Sequence, residues 1–244
     1  MRTRLLSFGI WIFDMRYASV IKGRFLARPN RFLARVDIDG KEETVHVKNT
    51  GRCGELLLPG SVVWLSDSGN AARKTRYDLI AVEKQTERGS LLVNIDSQAP
   101  NEAAAEWLLS SGLFSQKASA RREVQKGSSR FDLAVDDGGS ISYIEVKGVT
   151  LERDGVALFP DAPTERGVKH VKELIECVKE GFGAYLLFVV QMKGVHTFSP
   201  NDETHKAFAD VLREAKASGV MILAYDCLVT PDSMALDAPV PLSL

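Results

Sequence analysis

The chain has 244 residues, 45% hydrophobic and 26% charged, with 31 Lys/Arg against 32 Asp/Glu and a formal net charge of −1. That composition excludes collagen-like, disordered and coiled-coil chains, and the length suits two modest domains or one large one. No global basicity advertises nucleic acid, so any such partner must be held by a local patch. Cys53, Cys177 and Cys227 lie far apart with no C-x-x-C pair. This excludes a Cys-rich zinc site and a disulfide framework, and it suits a reducing cytoplasm.

In chain order, the apolar stretch Leu5–Phe13 follows Arg2 and Arg4. It is too short for a bilayer, which takes about 20 apolar residues. It has the charge and apolar run of a signal peptide but no clean small-x-small cleavage site. Folded-protein character begins at Met15. The reading favours a true start there, with residues 1–14 as an extra N-terminal segment.

Residues 16–97 carry 14 Lys/Arg and 10 Asp/Glu, a net of +4, whereas residues 98–244 carry 15 and 21, a net of −6. The structural grammar changes at the same place. Before it, the β-type runs SVIKGRFLA, RFLARVDI, ETVHVKN, SVVWLSD, YDLIAVEK and SLLVNID are broken by Arg-Pro-Asn, Asp-Gly, Leu-Pro-Gly, Asp-Ser-Gly-Asn and Glu-Arg-Gly. Asp39-Gly40 between two alternating runs is a hairpin signal. Such short strands predict an OB-type barrel over residues 15–97. Arg24, Arg28, Arg31 and Arg35 interleave with Phe25 and Phe32, the mixture by which OB folds track a nucleic-acid backbone and stack bases. Solvated strand edges around two core phenylalanines are the competing account. Arg73, Lys74 and Arg76 form a second basic cluster, and Trp64 reads as core.

After Ser97 the spacing predicts a helix from Asn101, its N-cap, then strands at SRFDLAV and SISYIEVKGV, a helix over residues 165–180, and an apolar strand AYLLFVVQM. A helix over 202–217 and a strand VMILAYD close the chain. This order predicts an α/β domain with a mixed sheet over residues 98–244. The run after Gly219 is apolar and β-type, which argues against a helix-turn-helix, whose recognition helix needs an exposed polar face.

The chemistry concentrates in Ser129-Arg-Phe-Asp132 and Tyr143-Ile-Glu-Val-Lys147. Glu145 and Lys147 are two apart on one strand and share a face. Asp132 lies on the adjacent strand of the hairpin. Two carboxylates converging are costly unless a cation lies between them. Mg2+ or Mn2+ suits carboxylate, carbonyl and water ligands, and the lysine can orient a water or offset phosphate charge. Glu123 is a candidate third acid. Thr164 or Asp161 is expected to cap the next helix, with Val168, Val171, Ile175 and Val178 as its buried stripe. Arg166 and His170, four apart, with Lys169, form a candidate phosphate site near the helix N-terminus. His46, His196 and His205 have no zinc spacing.

Asp…Glu-x-Lys on adjacent strands is the motif of the PD-(D/E)xK nuclease-like superfamily. Together with Arg24-Phe25, Asn30-Arg-Phe32, Asn49-Thr-Gly51, Val93-Asn94 with Asn101, and Phe159-Pro-Asp-Ala…Thr164-Glu-Arg-Gly…Lys169-His170, it makes the chain resemble the sugar fermentation stimulation protein A family from about Met15 onward. Gly148 stands where relatives often carry Ser. The resemblance implies a two-domain α/β (α+β) protein, an OB-type barrel followed by a PD-(D/E)xK nuclease-like domain. It further implies non-specific DNA binding and regulation of sugar (maltose) metabolism. Catalysis is expected from Asp132, Glu145 and Lys147, metal binding from Asp132, Glu145 and Glu123. Nucleic acid is expected at Arg24, Phe25, Arg31, Phe32, Arg35, Arg166, Lys169 and His170. DNA is the expected partner, with RNA and metal-dependent phosphodiester hydrolysis as alternatives. No membrane partner is expected, and a homodimer is left open.

Overall fold

The computed structural model describes residues 15–49, 51–87, 89–127 and 129–244. The proposed extra segment 1–14, Thr50 of the Asn-Thr-Gly motif and Arg88 of the Glu-Arg-Gly break lie outside the described residues.

Turn chemistry builds the first sheet. Its strands are β1 (Val20–Asn30), β2 (Leu33–Ile38), β3 (Lys41–Val47), β4 (Val62–Asp67), β5 (Tyr77–Thr86) and β6 (Gly89–Asn94). Asp39 and Gly40 both take positive φ, 53° and 85°, as a two-residue hairpin turn requires. The Gly40 amide donates to Asp37 Oδ1 at 2.8 Å. The sheet runs β3-β2-β1-β4-β5-β6, and a parallel pairing of β3 with β5 (His46↔Asp78, Val47↔Leu79) closes it into the OB-type barrel. Ala34, Val36, Val45, Val63 and Leu65 alternate into the interior, and Phe25 joins them there at 2% exposure. Phe25 is therefore a core residue and not a base-stacking one. Trp64 departs from its reading in the other direction. It is half-buried on the outer face, with Lys22 Nζ 5.5 Å over its ring.

The second part comprises α1 (Ala99–Leu108), β7 (Ser119–Lys126), β8 (Ser129–Asp137), β9 (Ser140–Val149), β10 (Leu151–Arg153), β11 (Val156–Phe159) and α2 (Glu165–Lys179). It continues with β12 (Gly183–Val190), β13 (Thr197–Pro200), α3 (Asp202–Ala217), β14 (Met221–Thr230) and β15 (Ser233–Pro239). The main sheet is mixed, in the order β15-β14-β12-β9-β8-β7, with β9, β12 and β14 parallel. The antiparallel strand β15 at its edge and the small sheet β10-β11-β13 were not expected. Nor was β7, whose charged run Arg121-Arg-Glu precedes the first expected strand of this part. It is an edge strand, and edge strands keep charge because one side faces water.

Apolar side chains of β12 alternate between the two faces. Leu187 and Val189 join Ile144, Val146 and α1 in one cluster. Leu186 and Phe188 join Val171, Phe208 and Leu212 of α2 and α3 in the other, which is continuous with the barrel core. On α2, Gly167, Val171, Leu174, Ile175 and Cys177 are buried, while Val168 and Val178 pack at the margin. After α3 the chain enters β14, whose Ile222, Ala224 and Asp226 are buried, so helix-then-strand holds for residues 202–226. All three cysteines are buried and free. Among the described residues no helix is long and apolar enough to cross a membrane.

A polar seam joins the barrel to the α/β part. The Asn94 amide donates to Gln191 O at 2.9 Å. The Gln191 side-chain amide donates back to Asn94 O and Asp96 O at 3.0 and 3.1 Å. Lys84 Nζ reaches Glu152 Oε2 at 2.6 Å. Buried groups paired in this way resist separation, because parting them leaves donors and acceptors unsatisfied.

Candidate functional site

Asp132 is held from two elements. Its Oδ2 accepts the Val146 amide of β9 at 2.8 Å, and its Oδ1 accepts the Asn101 side-chain amide at 2.9 Å. Asn101 was expected as the N-cap of α1. The helix instead starts three residues earlier, with Gln98 at the cap and Pro100 in the first turn, where a missing amide costs nothing. Asn101 is thereby placed inside the helix with its side chain free to orient Asp132. The clue available in sequence is its place as a polar residue, beside Glu102, at the head of the alanine-rich run.

Glu145 is 2% exposed. Its Oε1 is bonded by Lys147 Nζ and by His170 Nδ1 of α2. Arg166 Nε donates to His170 Nε2 at 3.3 Å. With Nε2 accepting, the ring proton sits on Nδ1 and is donated to Glu145, an assignment made from the hydrogen-bond network. Thr164 caps α2, its hydroxyl accepting the Gly167 amide at 3.0 Å, so the first turn is fixed in the register that points His170 at β9.

The two carboxyls titrate in opposite directions. Burial, and then the charge of Glu145, push Asp132 above the ordinary aspartate range, against the Val146 and Asn101 hydrogen bonds. Burial pushes Glu145 up as well, but His170 and Lys147 together outweigh it and hold the group below its usual range. Glu145 Oε2 is buried with no hydrogen-bond partner. An orphaned carboxylate oxygen beside a second, destabilised carboxyl offers hard oxygen donors of the kind a divalent cation takes. Among the described residues no group of three His, Cys, Asp or Glu gathers around a common point. Two carboxylates completed by water and carbonyls are the ligand set that Mg2+ ordinarily accepts.

The remaining candidates scatter. Glu123 lies level with Asp132 in the β7–β8 register, yet its backbone is left-handed (φ 56°). Its side chain is 64% exposed and paired with Arg130, so it is not gathered with the other two acids. Lys169 pairs with Glu173 at 3.5 Å on the exposed side of α2 and does not reach the site. On the barrel, Arg35 is paired with Glu42 at 3.3 Å, and Arg73 and Arg76 with Asp78 and Asp67. Arg28 has turned inward, donating to the carbonyls of Arg31, Asn49, Gly51 and Arg52. Arg24 and Arg31 stay exposed, and the Arg31 guanidinium lies 4.6 Å from the centroid of the Phe32 ring.

A cleft of about 260 Å³ opens between the two parts of the chain. Asn49, Gly51, Gly148, Phe159, Asp161 and Gln191 line it. A Cβ at Gly148 would stand 2.4 Å from Gln191 Oε1, and one at Gly51 would stand 2.9 Å from Asp161 Oδ2. Glycine lets these side chains approach the main chain at both points. A serine at position 148 would require Gln191 to shift.

Two family sequence models match, an SfsA N-terminal OB domain over residues 26–95 and a sugar fermentation stimulation protein RE domain over residues 98–233. The chain belongs to the sugar fermentation stimulation protein A family. A family homolog from Desulfitobacterium hafniense (strain Y51) is 53% identical over 220 residues, covering 90% of this chain and 94% of the relative. One from Clostridium beijerinckii is 51% identical over 220 residues, 90% of this chain and 96% of the relative. The family fold is also found in Pyrococcus furiosus SfsA, solved in complex with Ca2+. It matches with a TM-score of 0.83 at 26% identity, covering 96% of this chain and 100% of that one.

Proposed function

We propose that this family member is a sequence-tolerant DNA-binding protein whose Asp132 and Glu145 hold a divalent cation, Mg2+ or Mn2+, against the phosphate backbone. The observation that carries the reading is the buried, unpartnered Oε2 of Glu145 beside the destabilised carboxyl of Asp132. The Ca2+ in the Pyrococcus furiosus relative supports it, since Ca2+ also takes carboxylate, carbonyl and water oxygens. A divalent ion bound there supplies Lewis acidity toward a phosphate and lowers the pKa of an attacking water. Lys147 and His170 hold Glu145 ionised, Asn101 orients Asp132, and Arg166 offers a guanidinium to a neighbouring phosphate. A second reading, metal-dependent phosphodiester hydrolysis, is favoured by Lys147, whose ammonium is bonded to the metal-side carboxylate in the position of a water-orienting or charge-countering group.

Two measurements test the reading. Mn2+ should raise the melting temperature of the wild type by mass action and leave Asp132→Asn unmoved. The signs follow from the titration. Glu145, held low, contributes stability above the ordinary glutamate range that is lost as pH falls through its folded value. Asp132, held high, costs stability at neutral pH when ionised, so Asp132→Asn should stabilise the metal-free protein there. An equal Mn2+ shift in both proteins places the cation elsewhere. DNA affinity should fall with salt at a log–log slope of about −3, on the count of Arg24, Arg31 and Arg166 as phosphate contacts. A thousandfold preference for one sequence, the scale of specific binders, overturns sequence tolerance.

A further inference from the structure

The exposed surface of the barrel carries information about what kind of strand can bind. Phe32 is 44% exposed at the turn between β1 and β2, and Leu26 and Leu58 are exposed on the same part of the chain at 36% and 54%. A phenylalanine left in water loses the burial its ring would gain in a core. Arg31 stacks on this ring, a flat cationic and aromatic pair facing outward. The turn is braced from behind. The Asn30 side chain accepts the Phe32 and Leu33 amides at 2.9 and 3.1 Å. Arg28 ties the Arg31 carbonyl to those of Asn49, Gly51 and Arg52. Gly51 in turn abuts Asp161, and both line the cleft together with Gly148, the residue that follows Lys147 in β9.

The neighbouring β2–β3 face offers no competing track. Its Arg35 is neutralised by Glu42, and Glu43 lies on the same strand as Glu42. A cation and an aromatic platform therefore coincide at the β1–β2 turn. Arg28 ties that turn to the Gly51 loop, which lines the cleft.

We infer that the nucleic acid this site takes is single-stranded, with an unpaired base stacked on Phe32 and the backbone led across the Gly51 loop toward Lys147. The inference rests on the nucleic-acid reading above and deepens it. In a duplex every base face is already stacked, so Phe32 has nothing to cover. A cleft of about 260 Å³ is smaller than the roughly 300–1,000 Å³ that holds a drug-sized ligand. It admits part of one nucleotide and no duplex. Arg31 supplies the charge complementarity, and the ring supplies sequence-tolerant stacking, because every base has a π-face.

The test is fluorescence anisotropy with the full chain, in Ca2+ at fixed salt. The probes are a labelled single-stranded 20-nucleotide DNA, the same sequence as blunt duplex, and the corresponding RNA strand. The DNA strand should bind at least tenfold more tightly than the duplex. Phe32→Ala should weaken single-strand binding about fivefold to a hundredfold, the scale of one lost base–aromatic stack. It should leave the duplex affinity and the melting temperature in place, and Phe32→Tyr should restore binding. The RNA arm distinguishes the sugar, and tight binding of either strand supports the inference. Equal affinity for single strand and duplex, or full binding by Phe32→Ala, overturns it while leaving the DNA-binding reading intact. No binding of any probe overturns both.

Discussion

Lys147→Ala should lower metal-dependent phosphodiester turnover about a hundredfold or more while changing substrate affinity little. The size is that of one transition-state donor removed from a preorganised site. The split between rate and affinity follows from geometry. Lys147 is only 16% exposed and its ammonium is bonded to Glu145, so it contributes little to holding a ground-state strand. Its ammonium matters as negative charge grows on the phosphate, a contribution that appears in kcat rather than in KM. The measurement is single-turnover cleavage of labelled single-stranded DNA in Mn2+ by wild type, Lys147→Ala and Asp132→Ala. Cleavage persisting in both variants identifies a contaminating nuclease. Wild-type protein that binds these strands in Ca2+ and cleaves none in Mn2+ leaves a binding protein with a metal-holding site.

The second large effect concerns stability. Phe188→Ala should cost about 3–5 kcal/mol, the usual range for emptying a buried phenylalanine site. Phe188 is fully buried and stacks on Phe198 at 4.2 Å between ring centroids, with Phe159 and Phe208 at 5.5 and 6.5 Å. These rings come from β12, β13, β11 and α3, so one cavity loosens four elements that otherwise hold each other in register. The loss is a large share of a typical domain stability of about 5–15 kcal/mol. Phe159 lines the interdomain cleft, so the same variant should also weaken single-strand binding. Urea denaturation measures the first effect. A cost under about 1 kcal/mol would show that the neighbouring rings collapse into the space.

Periodicity alone carries α2, α3 and the strands of the barrel. The long apolar run containing Phe188 announces a strand covered on both faces, and Asp39-Gly40 announces its hairpin, because both signals are local and depend on few neighbours. The Asp132, Glu145 and Lys147 set was legible for the same reason. A two-residue spacing in a strand determines which side chains share a face. Strands β7, β10, β11, β13 and β15 were not legible, since edge strands and three- or four-residue strands owe their form to a partner rather than to their own composition.

The sequence by itself determined the two structural grammars, the polar strand that carries Glu145 and Lys147, and the membership in a family defined by those motifs. Only the tertiary structure decided which charges are available. Arg28, Arg35, Arg73, Arg76 and Lys169 look equivalent to Arg24 and Arg31 in a list of residues. Folding gives the first group carboxylate or carbonyl partners, leaves Arg24 exposed with one long bond to the Gly60 carbonyl at 3.4 Å, and sets Arg31 over the Phe32 ring. Folding also sends Phe25 of β1 into the core and Phe32, seven residues on in the turn that follows, out of it. It brings His170 and Asn101 from two helices onto the carboxylates of one hairpin. Pairing is a property of distance in space, and a charge or a ring acquires its role only when the chain has closed around it.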